Sequence, residues 1–332
     1  MCLVVMALDQ SSRFPLVLAG NREEFFDRPS ARMSWWEAAN GMPAILGGRD
    51  LQAGGTWLGL TAQGRLGVVT NVRDPSKIDS NAPSRGEVVP MWLRGDIPMD
   101  QLWPRLAMTG YNGFNLMALD FSAGEAFWIN NTEDYPVRLE RGLYGLSNAG
   151  LNTPWPKVVT LKARLKTALA EAADLDGLVV RLFESLTDAA LFPDERLPST
   201  GVPLDWERLL SPAFVRSPDG RYGTRCSTLV ITERVNKRLV THVLERTYSG
   251  SSGVALLRRV TLKNWPPRHT AVTTEMAKLD AAISLQEARA DDPFETSDVS
   301  EQDNHALPPT PVARKTRARS LIKSTGARPV KA

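Results

Sequence analysis

Met1-Cys2-Leu3-Val4-Val5-Met6-Ala7-Leu8-Asp9-Gln10-Ser11-Ser12 and, just beyond it, Leu16-Val17-Leu18-Ala19-Gly20-Asn21-Arg22-Glu23-Glu24 decide how this chain is read. Two apolar runs flank Asp9-Gln10-Ser11-Ser12, whose side chains favour turns, so the stretch predicts an antiparallel hairpin. The pattern recurs outward. Thr56–Thr61 and Arg65–Thr70 flank Gln63-Gly64, and Phe114–Leu119 and Ala126–Ile129 flank Ser122-Ala123-Gly124. Val137–Leu139 and Leu143–Leu146 flank Arg141-Gly142, and Cys226–Glu233 and Arg238–Glu245 flank a turn centred on Asn236. Between them, Arg85–Leu93, Lys157–Ala172 and Leu175–Leu186 carry apolar residues at helical spacing. Hairpins interrupted by amphipathic helices predict an α+β layered domain, not a chain of parallel crossovers.

Of the 332 residues, 42% are hydrophobic, enough to bury a substantial core, and the net charge of +3 is too small to argue for nucleic acid. No apolar run approaches the length of a membrane span. The amino terminus lacks the basic and apolar regions of a signal peptide, and two cysteines suit a reducing compartment, so a cytoplasmic protein is expected. Composition changes near Trp265. Glu275–Asp303 holds nine acidic residues against two basic ones, and Asn304–Ala332 holds seven basic residues and no acid. The expected organisation is therefore a body over 1–265 and a disordered, charge-segregated tail over 266–332, with one short helix around Thr273–Ala290. The basic end reads either as a contact for nucleic acid or anionic lipid, or as an inert solvated terminus.

A histidine-dependent nucleophile has little to draw on, since only His242, His269 and His305 exist. No metal-ligand spacing and no phosphate-loop ending is present. Cys2 stands out. The small residue after Met1 permits removal of the methionine, which leaves a thiol and a free amine on one residue. An α-amine with a pKa of about 7.7–8.0 can accept the thiol proton without histidine. The alternative is that Cys2 is a small buried strand residue. Four polar residues stand at strand ends on what can be a common rim: Arg22, Asn71, Asn148 and Arg225. Singly, each also reads as a turn or capping residue. Together with Cys2 they supply two cations, two amides and a thiol, a set able to hold a carbonyl and its tetrahedral adduct. Strand alternation puts Glu24 on the face of Arg22.

Asn21-Arg22-Glu23-Glu24 resembles the Asn-Arg-Asp-Glu signature of the NRDE family, the Transport and Golgi organisation protein 2 family. Gly47-Gly48-Arg49-Asp50, Gly54-Gly55-Thr56-Trp57-Leu58-Gly59, Thr70-Asn71-Val72-Arg73 and Ser84-Arg85-Gly86 support the resemblance. So do Tyr111-Asn112-Gly113-Phe114-Asn115-Leu116, Leu146-Ser147-Asn148, Pro154-Trp155-Pro156-Lys157 and Tyr222-Gly223-Thr224-Arg225. Glu23 departs from the signature's Asp, and Cys226 stands where the pattern has Ser. The resemblance implies a four-layer αββα N-terminal-nucleophile hydrolase-like sandwich of antiparallel sheets. By similarity to choloylglycine hydrolases and penicillin V acylases, it implies Cys2 as nucleophile and base and Arg22 as partner of the thiolate. Asn71 and Asn148 would serve the oxyanion and amine, Arg225 would orient the amine or substrate, and Glu24 would fill the early acidic position, leaving Glu23 structural.

The resemblance leaves two functions open. One is a cysteine amidohydrolase acting on a small-molecule amide, with no cofactor required. The other is a carrier or trafficking factor that holds haem or acyl-CoA in the same cleft. For haem, His242, Cys2, Cys226 and the nine Met are candidate ligands but show no attachment spacing. Trp35, Trp36 and Trp57 read either as lining for an apolar cleft or as core packing.

Overall fold

The computed structural model describes residues 2–37, 41–133, 135–250 and 255–267. The chain opens with β1 (Cys2–Leu8) and β2 (Leu16–Phe25), then β3 (Ser30–Glu37), β4 (Ala44–Asp50), β5 (Leu58–Thr61) and β6 (Arg65–Asn71). α1 (Val88–Arg94) and α2 (Met99–Met108) precede β7 (Phe114–Asp120), β8 (Glu125–Asn130), β9 (Val137–Arg138) and β10 (Gly142–Leu146). α3 (Pro156–Glu171), α4 (Leu175–Leu186) and α5 (Leu204–Leu209) come before β11 (Tyr222–Val235), β12 (Arg238–Tyr248) and β13 (Ala255–Lys263). Residues expected in the tail from 268 onward, including the helix around Thr273–Ala290, lie outside the described residues.

The strands form two antiparallel sheets, ordered β10-β1-β2-β11-β12-β13 and β3-β4-β5-β6-β7-β8-β9. Parity along each strand builds the layers. In β1 and β2, Val4, Met6, Leu16 and Leu18 point into the space between the sheets, where they meet Leu46, Leu60, Val68 and Met117. Their neighbours Leu3, Val5, Val17 and Ala19 point the other way, onto Val158, Leu161 and Leu165 of α3 and Leu178 and Leu182 of α4. On the far side of the second sheet, Ile45, Leu116 and Ile129 pack on Val89, Trp92 and Leu93 of α1 and Leu102 and Leu106 of α2. Helices cover both outer faces, which makes a four-layer αββα sandwich. Among the described residues no helix is long and apolar enough to cross a membrane.

Most expected hairpins are present. The β11–β12 turn places Asn236 and Lys237 at φ 46° and 70°, the double left-handed geometry that matches strand twist in a two-residue hairpin. One expected hairpin is not. β9 pairs with β8 in the second sheet, whereas β10 pairs with β1 in the first. The chain crosses between sheets here because Leu139 and Leu146 both enter the central core, from opposite sides. Tyr144 stitches the crossing: its hydroxyl accepts from the Glu140 N–H at 3.0 Å and donates to the Glu140 carbonyl at 2.7 Å. The helix expected over Arg85–Leu93 begins as a 3-10 turn, Arg85–Glu87, before α1. α2, unexpected from the sequence, contains Pro104, a residue that ordinarily ends a helix.

Trp265 closes the body. It is fully buried; its indole N–H donates to the Thr61 carbonyl of β5 at 2.9 Å, and its own carbonyl accepts from Thr241 of β12 at 2.8 Å. One residue thus links the two sheets. Trp265→Ala is expected to lower stability by about 3–5 kcal/mol, measured by urea denaturation, through lost burial and the Thr61 carbonyl left without its indole donor.

Candidate active site

The cross-strand register is what assembles the candidate residues. Cys2 pairs with Arg22 across β1–β2, and Arg22 pairs with Cys226 across β2–β11. By the parity described above, this row faces the second sheet at the open end of the sandwich. The Arg22 guanidinium is 6% exposed and lies 4.4 Å from the centre of the Trp57 ring. Its Nη2 lies 3.4 Å from Asp50 Oδ2, at the end of β4, and 3.7 Å from Glu24 Oε2. Its Nη1 is buried and donates to no partner among the described residues.

Asp50 is anchored in turn. Oδ2 accepts from Arg28 Nε at 2.7 Å, and Oδ1 accepts from the backbone N–H groups of Gln52 and Ala53, each at 3.0 Å. Burial pushes its carboxyl upward, but the Arg28 and Ala53 hydrogen bonds and the charges of Arg28 and Arg22 outweigh that, so it sits below its ordinary value. Glu24, the acid expected beside Arg22, is on the same face but further from the guanidinium than Asp50, and accepts from the neighbouring Phe25 N–H at 3.0 Å.

The Gly47-Gly48 pair makes room for this arrangement. A Cβ on Gly48 would fall 2.2 Å from the Trp57 ring, and one on Gly47 would fall 2.4 Å from the Leu58 carbonyl. Only glycine lets the β4–β5 region close enough for Trp57 to lie beneath Arg22. Trp36, by contrast, packs on the outer, helix-covered face of the second sheet, its indole donating to the Gly47 carbonyl at 3.0 Å.

On the opposite sheet edge, the Ser147 hydroxyl donates to the Cys2 carbonyl at 3.0 Å, and Asn148 Nδ2 donates to the Asn71 carbonyl at 2.8 Å. Asn71 and Asn148 line a cleft of about 340 Å³ together with Arg73, Arg85, Val202 and Trp206. The Asn71 side-chain amide makes no hydrogen bond among the described residues. Cys2 is 8% exposed, and burial, only partly offset by the chain's N-terminal ammonium, pushes its thiol up to about 11.

Arg225 is placed differently from the other cations. A β-bulge between Thr224 and Cys226 inserts it into the β2–β11 ladder. Its Nη1 donates to the carbonyls of Phe25 and Arg28, and Nη2 to the Ser30 hydroxyl at 3.2 Å. It therefore braces the turn after β2, and through Arg28 it supports Asp50. Glu23 faces away from Cys2 toward the helix layer, 1% exposed; burial raises its pKa, and Lys157 is the charge that most opposes this. Lys157 itself is pulled down to about 8 by burial, with Glu23 the strongest opposing charge, and its Nζ donates to the Leu210 carbonyl at 2.8 Å. Cys226 is buried, and His242 sits between Thr261 and Arg259 on β13, its pKa lowered by burial.

Sequence alone assigns no role to Asp50, Arg85 or Lys157, and it reads Trp57 only as cleft lining or core packing, not as the partner of Arg22. The available signal was their position inside Gly-Gly-Arg-Asp, Gly-Gly-Thr-Trp, Ser-Arg-Gly and Trp-Pro-Lys motifs already quoted. Gly48→Ala should destabilise the protein by about 1–3 kcal/mol through overpacking. In a denaturant double-mutant cycle, most of that loss should vanish in a Trp57→Ala background, where the clashing ring is gone.

A family profile described as Transport and Golgi organisation 2 matches residues 1–250. The chain is 35% identical over 253 residues to the bovine Transport and Golgi organization protein 2 homolog, covering 70% of this chain and 89% of the bovine one. It is 34% identical over 249 residues to the Homo sapiens homolog, covering 70% and 89%. Against the Drosophila melanogaster protein it is 29% identical over 273 residues, covering 75% and 93%. Among solved structures it is similar to a Caenorhabditis elegans N-acylethanolamine-hydrolyzing acid amidase ortholog, with TM-score 0.42 and 12% identity over 69% of this chain and 92% of that one. It is also similar to a conjugated bile acid hydrolase variant from Clostridium perfringens, with TM-score 0.41 and 9% identity over 82% of this chain and all of that one (100%). With a profile match across the sandwich and relatives covered over most of their length, the chain belongs to the Transport and Golgi organisation 2 family.

Proposed function

We propose that the protein hydrolyses a small-molecule amide by an N-terminal cysteine mechanism once Met1 is removed. The observation that carries this reading is the Cys2–Arg22 cross-strand pair at the sandwich end where Asn71 and Asn148 line a cleft. The Cys2 amine takes the thiol proton, and Sγ forms a bond to the amide carbon. The carbonyl oxygen becomes an oxyanion, for which the Asn71 amide is a donor with no other partner among the described residues. Collapse breaks the C–N bond, and the ammonium returns its proton to the departing amine. Water, deprotonated by the same amine, then cleaves the thioester and restores the thiol. Arg22, with Nη1 uncommitted and its position fixed by Trp57 and Asp50, stabilises the thiolate. No step calls for a cofactor.

The thiol's environment favours the requirement for processing. With a residue ahead of Cys2, a pKa of about 11 leaves little thiolate at neutral pH. In a Cys226→Ala background, a variant with an additional N-terminal residue should alkylate with iodoacetamide at pH 7.5 more slowly than a free cysteine of pKa about 8.5, by roughly one to two orders of magnitude, since far less of it is thiolate. Its rate should climb with pH toward 11, the value set mainly by burial. Removing the extra residue should accelerate labelling, because the amine then sits on Cys2 itself.

Intact mass should show the mature chain starting at Cys2. Cys2→Ser in the processed protein should lower amide turnover by orders of magnitude without changing the melting temperature. Undiminished turnover would move the chemistry to another group. The apolar outer wall of the cleft, Val202, Trp206 and Leu210, also favours a carrier reading with haem or acyl-CoA as ligand. Tight binding of either, equal in wild type and Cys2→Ser and without turnover of any amide, would replace the hydrolase reading with that one.

A further inference from the structure

Arg85 has no part in the mechanism above, yet its placement is as constrained as that of Arg22. It opens the 3-10 turn Arg85–Glu87, where the Ser84 hydroxyl accepts from the Gly86 N–H at 3.2 Å. The Gly86 carbonyl accepts from the Thr56 N–H at 3.0 Å, and a Cβ on Gly55 would fall 2.1 Å from that carbonyl. The Gly54-Gly55-Thr56-Trp57 segment therefore fixes two cations at once: Trp57 underlies Arg22, and Gly55 and Thr56 clamp the turn that carries Arg85.

The side chain lines the same cleft as Asn71 and Asn148, and its Nη1 reaches the Gly113 carbonyl at 3.3 Å. Each other charged group on the cleft wall has a counter-charge. Arg73 is 2.6 Å from Glu207, and Lys77 is 3.2 Å from Asp74. Arg85 has no carboxylate within 4.0 Å among the described residues; the charges that act on it are those of Cys2, when ionised, and Glu24, and Glu24 is engaged with Arg22 and Arg28. A half-buried guanidinium without a counter-ion is costly to the fold. Its planar fork suits a carboxylate or phosphate, which it can hold with two parallel hydrogen bonds. The same cleft is lined by Ile78, 68% exposed, Trp206, 37% exposed, and Val202. These are apolar groups that gain by covering. The volume of about 340 Å³ is at the small end of the range for small-molecule sites.

Building on the hydrolase reading, we infer that the cleft selects an amphiphilic anion, with Arg85 binding the acid group and Ile78, Val202 and Trp206 the apolar chain. Arg85 then determines specificity. Between these two anchors the amide faces Asn71 and Asn148.

Binding and turnover separate this inference from the reading beneath it. Calorimetry with Cys2→Ala should give tighter binding of N-octanoylglycine than of N-octanoylethanolamine, which keeps the chain and amide but replaces the acid by a hydroxyl. The expected preference is about tenfold to hundredfold. Arg85→Gln in that background should reduce the preference to near one, and Arg85→Lys should restore part of it. Octyl phosphate tests the acid: binding tighter than the glycine compound assigns a phosphate, weaker binding a carboxylate. Equal affinity for acid and alcohol, or a preference that survives Arg85→Gln, would overturn the inference whatever the turnover. If Arg85→Gln does not fold, salt titration of the Cys2→Ala protein decides. Affinity for the acid should fall with added salt while that for the alcohol holds, and a common salt response would overturn the inference. Absence of hydrolysis of either amide by the processed wild type, with the binding preference intact, would remove the hydrolase reading and leave the Arg85 site standing.

Discussion

The guanidinium of Arg22 holds the working end of the molecule together. It belongs to the first sheet, but its neighbours, Trp57 and Asp50, belong to the second. A desolvated cation–π contact contributes about 2 kcal/mol, and breaking a buried ion pair by removing one partner costs about 3–5 kcal/mol. Those magnitudes show why the surroundings of Arg22 are so heavily specified. Leaving Arg22 without either neighbour would strand a charge between two sheets. Arg28 supports Asp50, Arg225 supports the backbone of Arg28, and glycines at 47 and 48 let Trp57 approach. A set of residues scattered over more than 200 positions thus serves one cation.

Much of this could be read before any coordinates. Alternation along β1 and β2 places Cys2, Arg22 and Glu24 on one face, because the period of a strand is two and the apolar residues at 4, 6, 16 and 18 declare which face is the core. The Asn236 turn and most hairpins follow from local chemistry. What could not be read depends on contacts between distant segments. Val137–Leu139 and Leu143–Leu146 look like hairpin arms, yet each finds a partner in a different sheet, and nothing local distinguishes the two pairings. Asp50 as the nearest partner of Arg22, in preference to Glu24, requires the sheet-to-sheet spacing. Arg225 was legible as a cation at a strand start, but the bulge that turns it onto the β2–β3 corner is set by register across β2 and β11.

The signature Asn21-Arg22-Glu23-Glu24 carries two kinds of information in alternate letters. Asn21 points to the helix side. Its Nδ2 donates to the carbonyls of Leu186 and Ala213 at 2.8 and 2.7 Å, and its Oδ1 accepts from Ser227 at 2.6 Å. Those bonds fasten β2 to the end of α4 and to the segment before β11. Glu23 points the same way, toward the buried Lys157 at the start of α3. Arg22 and Glu24 point into the space between the sheets. A substitution at the odd positions would loosen the helix layer, and one at the even positions would disturb the cations near Cys2.

Such a division explains why a longer acid at position 23 is tolerable. The added methylene of Glu over Asp lies on the helix side, where Lys157 is the dominant opposing charge and is itself brought down to about 8 by burial. Each charge offsets part of the other's burial penalty. On the even face, Arg22 lies against Trp57 and Asp50, and Gly48 leaves no room for a Cβ beside that ring. The letter at which this chain departs from the signature therefore lies on the helix face, and Arg22 on the face where Trp57 and Asp50 fix it.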